Sequence, residues 1–380
     1  MFTKISSFKN LLTGYFKARR RKRHKRRLQK IEVDFEHRLI NIQRYLQTNS
    51  YRPGAYHRFL VYEPKMRQVS APAFIDRIVH QALFLVVEPL FESQFIENTF
   101  ACRKGKGTHF GMRQIALCLQ LQAKIYPVFY ALKCDIKSYF ASIDHQVLFS
   151  LLSQTISCPK TLVLLKIIID SYEDSPGCGI PIGNLTSQLF ANVYLHPLDI
   201  YVTKVLKEPN YFRYMDDFVI LSQNLDYLLE LRQKIRMFLQ KELKLNLHPK
   251  KANIFRADRG LDFLGYLIKP EGISLRKKTL RRFKRRHKKR LLRLNRFKKE
   301  LKIIKQTPQL SLFDDSIKDK QIIISLEDKI TCLQTKLRSS RASLKGFLRY
   351  SNYQRLDSGG VKVGGIVIPK IFPIRKKKIK

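Results

Sequence analysis

The sequence predicts an α+β protein, in which short apolar strands are interspersed with longer amphipathic helices. Its 380 residues, 44% of them hydrophobic, are enough to build two or three packed subdomains. Runs of apolar and β-branched residues indicate the strands, and apolar residues at helical spacing indicate the helices.

The individual elements follow from these two patterns. Strands are predicted at four runs: Phe59–Tyr62, Val128–Ile136, Phe218–Leu221 and Phe263–Ile268. Helices are predicted at seven segments of suitable spacing: Leu28–Leu46, Phe74–Phe91, His145–Leu152, Thr161–Ser171, Asn184–Val205, Leu225–Leu243 and about 326–347. A more polar connection, about 307–319, precedes the last helix.

The charge of the chain indicates a polyanionic partner. Lys and Arg number 74 against 30 Asp and Glu, a formal net charge of +44, which excludes an ordinary metabolic enzyme with a neutral surface. Two basic runs stand out, Arg19–Arg27 and Arg276–Lys299. The second contains no acidic residue and keeps a partial helical spacing of apolar residues, so we interpret it as basic amphipathic helix rather than a solvated charged face.

The cysteines and the apolar runs indicate a protein of a reducing compartment. The six cysteines include no C-x-x-C pair, so neither a zinc site nor a disulfide framework is expected, and buried thiols are the simplest interpretation. No apolar run approaches the roughly 18 residues of a membrane span, and no secretory signal is apparent. We therefore expect a cytoplasmic nucleic-acid enzyme or binding protein with no membrane association.

Three aspartates stand out in this basic chain. Asp135 ends an apolar run, and Asp216 and Asp217 lie in Tyr-Met-Asp-Asp directly before another. An apolar-Asp-Asp-apolar pattern predicts a hairpin with carboxylates at its tip, which would repel one another without a cation between them. A pair of Mg²⁺ ions, the apparatus of nucleotidyl transfer, would supply that cation. An ordinary acidic turn is the alternative.

Several further segments occur together with these aspartates. They are YRPG from Tyr51, RQVSAP from Arg67, NTFACRKGKGT from Asn98, KCDIKSYFASIDH from Lys133, FRYMDD from Phe212, LNLHPKK from Leu245 and FLGY from Phe263. In this order they resemble the fingers motifs, palm motifs A, C and D, and the primer grip of a reverse transcriptase. The resemblance covers roughly residues 51–270.

The resemblance implies a right-hand polymerase with helical fingers and thumb and an antiparallel-sheet palm. The expected regions are a basic N-terminal helical arm (1–50), fingers (51–130), palm (131–268), a basic helical thumb (269–357) and a basic C-terminal tail (358–380).

The segment Ile182–Gln188 resembles motif B of one subfamily, the diversity-generating retroelements. It reads IGNLTSQ, where most prokaryotic reverse transcriptases have Gln-Gly-x-x-x-Ser-Pro. This resemblance implies mutagenic retrohoming, in which error-prone, adenine-mutagenic cDNA is made from a template-repeat RNA to diversify a target gene. The implied partners are that RNA, the RNA/DNA hybrid, deoxynucleoside triphosphates and a pentameric accessory variability determinant protein.

Two alternatives stay open from the sequence. One is a group II intron-like or phage-defence reverse transcriptase, against which Ile182 and Gln188 argue. The other is a basic RNA-binding scaffold with a vestigial palm, against which the intact aspartate set argues.

The catalytic roles are implied by the resemblance. Asp135 and Asp216 would hold two Mg²⁺ ions with help from the Ile136 carbonyl, Asp217 would support them, and Mn²⁺ is an expected substitute. Lys251 matches the motif D lysine that donates a proton to the leaving pyrophosphate, with Lys250 as the alternative.

The binding roles are carried over in the same way. Phe140 would be a steric gate against a 2′-hydroxyl, and Ile182 would remove a polar test of base-pair geometry and so lower fidelity. The expected nucleotide contacts are Lys65, Arg67, Ile136, Lys137, Ser138, Tyr139, Phe140, Ile182, Gly183 and Gln188. The expected primer grip is Phe263, Leu264, Gly265 and Tyr266. The expected contacts to the nucleic-acid backbone are Arg276, Lys277, Lys278, Arg281, Arg282, Lys284 and Arg285.

Overall fold

A computed structural model describes residues 1–20, 31–62, 66–306, 315–350, 361–363 and 366–368. The chain divides into two compact units, one formed by residues 1–114 and 126–257 and the other by 115–125 and 258–380. The division into two units does not test the five regions expected from the sequence, which remain a prediction. In the described part of the chain, no helix is both long and apolar enough to cross a bilayer.

The described helices and strands carry the following labels. The helices are α1 Phe2–Ile5, α2 Phe8–Arg19, α3 Phe35–Gln47, α4 Phe74–Glu92, α5 Thr108–Ile125, α6 His145–Thr155, α7 Pro159–Asp170, α8 Leu185–Ile200, α9 Leu225–Leu243, α10 Lys277–Gln306 and α11 Asp315–Leu348. The strands are β1 His57–Val61, β2 Arg67–Ala71, β3 Tyr130–Asp135, β4 Tyr211–Tyr214, β5 Asp217–Ser222, β6 Asn253–Arg256, β7 Leu261–Phe263, β8 Tyr266–Lys269, β9 Gly272–Leu275, β10 Val361–Val363 and β11 Ile366–Ile368.

The centre of the first unit is a four-stranded antiparallel sheet in the order β4-β5-β3-β6. Strand β3 pairs with β5 on one side and β6 on the other, and Ala131, Leu132 and Cys134 are fully buried. Helix α9 covers this sheet, contacting β3, β5 and β6, and α8 packs against α4, α6 and α9. The predicted α+β class with an antiparallel sheet is confirmed.

The amino-terminal helices belong to the core of the first unit. Ile5, Leu11, Tyr15 and Leu39 are buried in the same cluster as the sheet residues. Gly14 on α2 allows a close approach to α4, because a Cβ there would lie 2.9 Å from the Ile78 carbonyl oxygen. The basic run Arg19–Arg27 is described only at Arg19 and Arg20, and its remainder lies outside the described residues.

The second unit contains a three-stranded antiparallel sheet, β7-β8-β9, and a pair of long helices. On the helices α10 and α11, Leu294, Ile330 and Leu337 form a small buried cluster. The basic run Arg276–Lys299 is therefore helical from Lys277 onward, as its apolar spacing predicted.

Two predicted elements are corrected by the structure. The run Phe263–Ile268 is not one strand but a hairpin, because Leu264 and Gly265 adopt positive φ angles of 52° and 87° and turn the chain between β7 and β8. The helix predicted at Leu28–Leu46 is interrupted, because residues 31–32 are helical, residues 33–34 form a turn, and α3 begins at Phe35.

The cysteines are free thiols, as predicted, but most are not buried. Only Cys134 is fully enclosed, because it faces the core from β3. Cys102 and Cys332 are exposed, and the partly exposed ones are Cys118, Cys158 and Cys178.

Replacing Leu132 by Ala tests the central position of β3. Leu132 is fully buried, so the cavity left by the substitution should lower the free energy of unfolding by about 2–5 kcal/mol. Val163→Ala, at a position on α7 that is 48% exposed, is the control and should change it by less than about 0.5 kcal/mol. Urea denaturation measures both; equal effects would contradict this placement of β3.

Candidate active site

Asp135 is the last residue of β3, at the end of the buried central strand. Beyond it the chain is held in place by Ile136, which bridges Leu247, and by the Lys137 amide, which donates to the Asn246 carbonyl at 2.9 Å. The Asp135 side chain keeps 18% of its surface exposed. Its carboxylate therefore projects from a rigid, buried support into a partly solvated site.

Asp216 and Asp217 come from the tight turn between β4 and β5. Met215 turns the chain with a φ of +59°, and β4 and β5 pair directly on either side of it. Asp217 lies opposite Asp135 in the β3–β5 register, so all three aspartates are at the same end of the sheet. The predicted hairpin with carboxylates at its tip is confirmed.

Burial and the neighbouring carboxylates raise the pKa values of Asp216 and Asp217. Burial, followed by the charge of Asp216, raises the pKa of Asp217 to about 6. Burial also raises the pKa of Asp216, to which Asp135 adds repulsion while Arg67 and Lys251 act in the opposite direction. A cation bound between these carboxylates would offset both their burial and their repulsion, so the site favours cations.

Lys251 is the cation that contacts this group. Its Nζ lies 2.7 Å from Asp135 Oδ2, and 41% of its side chain is exposed. The backbone positions it, since the Lys251 amide donates to the His248 carbonyl and the His248 amide donates to the Asp135 carbonyl. The Lys250 amide donates to His248 Nδ1, and the Lys250 carbonyl accepts from Asn253 Nδ2. The structure thus brings Lys251, rather than Lys250, to the aspartates.

The chemistry of the donors fits divalent ions of the Mg²⁺ type. Among the described residues, no group of three or more His, Cys, Asp or Glu side chains is arranged so that it could hold a metal ion alone. Mg²⁺ does not need such a protein cage, because it is commonly held by one or two carboxylates together with substrate phosphates and water. Asp135 and Asp216 offer these carboxylates at the end of the sheet.

The motif A residues after Asp135 divide into exposed and buried positions. Lys137 and Ser138 are exposed, and Ser138 is left-handed with a φ of +48°. Phe140 is half-buried and packs edge-on against Tyr139. Tyr139 is only 3% exposed and its hydroxyl donates to the Ala191 carbonyl at 2.5 Å, so here it packs against α8 rather than facing a nucleotide.

The motif B loop lies against the β1–β2 hairpin. The Ser70 amide donates to the Ile182 carbonyl at 3.0 Å. Gly183 has a φ of +111°, and a Cβ at this position would lie 2.7 Å from Val69 Cγ1, so only glycine fits. Ile182 is half-buried, and Gln188 is exposed on the first turns of α8.

Two of the predicted triphosphate ligands belong to the β1–β2 hairpin. Arg67 is exposed at the start of β2, and its charge acts on Asp216. Lys65 lies outside the described residues.

The predicted primer-grip and backbone residues lie in the second unit. Phe263 and Tyr266 are buried, and the intervening Leu264–Gly265 form the hairpin tip. Arg276 forms an ion pair with Asp262. The predicted backbone contacts on α10 are exposed or half-exposed cations: Lys277, Lys278, Arg281, Arg282, Lys284 and Arg285.

A cavity of about 780 Å³ adjoins the motif B loop in the first unit. Its walls come from α2, the β1–β2 hairpin, α4 and the Gly183–Leu185 segment, and Lys17 and Arg77 provide positive charge. Phe59 and Phe74 provide aromatic surface in the same walls. A nucleic-acid strand needs this combination of cations and flat apolar surface.

A family model supports the geometric interpretation. The model described as reverse transcriptase (RNA-dependent DNA polymerase) matches residues 62–268, which is more than half of the chain. The chain belongs to the reverse transcriptase family. The matched region includes the three aspartates, the motif B loop and the β7–β8 hairpin, and the polymerase class predicted from the sequence is confirmed.

Two curated relatives are similar to the chain at low identity. Protein YkfC of Escherichia coli is 26% identical over 269 residues, covering 59% of this chain and 69% of that protein. The group II intron-encoded protein LtrA of Lactococcus lactis is 22% identical over 305 residues, covering 62% of this chain and 50% of that one. The chain thus spans about half the length of the intron-encoded protein.

A solved structure of apo telomerase from Candida tropicalis is also similar. It has a TM-score of 0.44 and 12% sequence identity, and covers 58% of this chain and 48% of the telomerase chain.

Arg213 and Asp199 support the site but were not predicted from the sequence. They form an ion pair in which both side chains are 0% exposed, directly behind the Asp216 turn. The signal available in the sequence was an arginine within the otherwise aromatic strand Tyr211–Tyr214. Lys17 and Arg77 were missed too, because only the fold brings α2 and α4 to one cavity.

Replacing Lys251 by Met tests its predicted role as a proton donor. We expect the rate of primer extension to fall by about 10²-fold, the usual scale for a general acid. Lys250→Met is the matched control, since Lys250 has the same charge one residue away, and should stay within about threefold of the wild type. Single-turnover kinetics measure both. A larger loss in the Lys250 variant would reverse the assignment.

Proposed function

We propose that the chain is an RNA-directed DNA polymerase that makes error-prone, adenine-mutagenic cDNA from a template-repeat RNA. The observation that carries the polymerase activity is the meeting of Asp135, Asp216 and Asp217 at one end of the sheet. The motif B residues Ile182 and Gln188 carry the assignment to diversity-generating retroelements.

Asp135 and Asp216 would hold two Mg²⁺ ions, for which Mn²⁺ can substitute, with the Ile136 carbonyl and Asp217 in supporting positions. When bound, the ions supply charge neutralisation at the triphosphate and lower the pKa of the primer 3′-hydroxyl. The raised pKa values of Asp216 and Asp217 support this assignment, because burial and mutual repulsion disfavour the charged carboxylates and a bound cation would offset both effects.

The protein's own residues would bind and orient the substrates. Arg67 and Lys65 would contact the triphosphate from the fingers, and Lys251 would shift from Asp135 to the leaving pyrophosphate. Phe140 would lie under the sugar and exclude a 2′-hydroxyl. The template strand would pass through the cavity beside Gly183, where Lys17 and Arg77 can contact phosphates.

The mutagenic character would arise where the motif B loop meets the nascent pair. The Ile182 carbonyl is occupied by the Ser70 amide, and its side chain has neither a donor nor an acceptor. A mismatched pair would therefore lose no hydrogen bond at this position, and discrimination would rest on pair shape.

The basic face of α10, Lys277 to Arg285, would bind the phosphates of the RNA/DNA hybrid without reading bases. We place the reaction in the cytoplasm and expect a pentameric accessory variability determinant protein as partner, as the subfamily resemblance implies.

One observation favours a second candidate, a group II intron-like reverse transcriptase. The similarity to the intron-encoded protein LtrA extends over 62% of the chain. The two candidates share the chemistry and differ in fidelity opposite adenine, which makes the error spectrum the deciding measurement.

Primer extension on a primed RNA with deoxynucleoside triphosphates and Mg²⁺ tests the polymerase proposal. The wild type should extend the primer, and Asp216→Asn should lower the rate by at least about 10³-fold because several kcal/mol of charge stabilisation are lost. Asp226→Asn, on the exposed first turn of α9, is the matched control and should retain full activity. A wild-type protein without activity, or an active Asp216 variant, would refute the proposal.

Replacing Ile182 by Gln tests the subfamily assignment. One added hydrogen bond of about 1 kcal/mol should lower misincorporation opposite template adenine several-fold. Val163→Gln, at a half-exposed position on α7, should leave the error spectrum unchanged. Sequencing of cDNA from an adenine-rich template gives both spectra. An accurate wild type would favour the intron-like candidate instead.

A further inference from the structure

We propose that Arg213 is a positioning residue that holds the Asp216 turn in its active conformation by clamping it to helix α8. The inference rests on the proposed polymerase activity and concerns a residue that does not touch substrate. It starts from the position of Arg213, the largest side chain that the described residues bury completely.

The guanidinium is engaged on three sides. Its Nε and Nη2 donate to the two carboxylate oxygens of Asp199, at 2.6 and 2.5 Å. Its Nη1 donates to Asn192 Oδ1 at 3.3 Å and to the Met215 carbonyl at 3.1 Å. Asp199 and Asn192 both belong to α8, so one planar group connects this helix to the catalytic turn.

The bond to Met215 acts at the point of greatest backbone constraint. Met215 has a φ of +59°, a left-handed conformation that a residue with a Cβ adopts unfavourably. It directly precedes Asp216. A charged donor on the Met215 carbonyl favours this conformation, and with it the direction in which the Asp216 carboxylate points.

The rest of the neighbourhood fixes Arg213 itself. Its amide donates to the Asn98 carbonyl, and its carbonyl accepts from the Phe100 amide, so β4 is held at its outer edge. The Tyr211 hydroxyl donates to Asp199 Oδ1 at 2.8 Å, so this oxygen accepts from both Tyr211 and Arg213. Arg213 and Asp199, the centre of the clamp, are therefore completely buried and hydrogen-bonded.

The clamp also relates two parts of the site. Helix α8 begins immediately after the Gly183–Asn184 loop and ends at Ile200, next to Asp199. The same helix thus carries the motif B residues at its first turns and the anchor of the catalytic turn at its last. A lysine at position 213 could keep the positive charge beside Asp199. Its single ammonium could not at the same time reach the Met215 carbonyl, as the forked guanidinium does.

The test compares Arg213→Lys with Arg103→Lys in the full-length chain. Arg103 is the matched control, because it is another buried arginine in a forked pair, with Glu92, and makes no bond to the turn. Two measurements are made on each variant: steady-state primer extension, and hydrogen exchange of peptides that cover residues 211–217.

We expect Arg213→Lys to lower kcat by about 10²-fold with KM within about threefold, as a small misplacement of a catalytic group does. Exchange at the turn should rise at least about fivefold while peptides of α9 stay protected. Arg103→Lys should keep kcat within about threefold and leave the turn protected. A folded Arg213→Lys protein with wild-type kcat and a protected turn, or a loss confined to KM, would overturn the proposal.

A second variant covers the case in which Arg213→Lys does not fold. Arg213→Gln combined with Asp199→Asn removes both buried charges while leaving an acceptor for Tyr211, and the same changes in kcat and turn exchange are expected.

A wild-type protein that cannot extend a primer would refute the proposed function alone, since the exchange comparison still decides whether Arg213 holds the turn.

Discussion

The antiparallel register that places Asp135 opposite Asp217 is the constraint on which the rest of the structure depends. A shift of one residue would turn every side chain of β3 to the other face and move Asp135 away from the Asp216 turn. The buried residues of β3 and β5 prevent this shift, because their apolar side chains face the core under α9. The hydrophobic core thus fixes the distance between charged groups that would otherwise repel one another.

The chain as a whole is strongly basic, whereas the site is acidic. A protein with 74 basic and 30 acidic residues places three aspartates together, where burial and mutual repulsion raise the pKa values of Asp216 and Asp217. The basic surface favours the phosphate backbone, and the acidic end of the sheet favours divalent cations. Together these two preferences would bring a primer end, a triphosphate and metal ions to one place.

Elements that are marked by local residue patterns could be predicted from the sequence. Helix α9 has the predicted bounds, because Asn224 caps its start and Lys244 ends it in a left-handed conformation. The aspartate hairpin could also be predicted, because the apolar-Asp-Asp-apolar pattern is local. The β7–β8 hairpin was not, because its two-residue turn lies inside an apolar run, and α5 was missed because its apolar residues follow no clear single face. Arg213 could not be assigned from sequence, since its partner Asp199 lies 14 residues away on a different element.

The most direct test of the central claim is to locate the ions themselves. Diffraction from a complex of the chain with primed RNA, Mn²⁺ and a non-reactive triphosphate analogue would show Mn²⁺ by its anomalous signal. The account predicts peaks at roughly 2.1 Å from carboxylate oxygens of both Asp135 and Asp216, the distance typical of small divalent ions. Ions bound elsewhere, or Asp135 still paired with Lys251 beside a bound triphosphate, would contradict it.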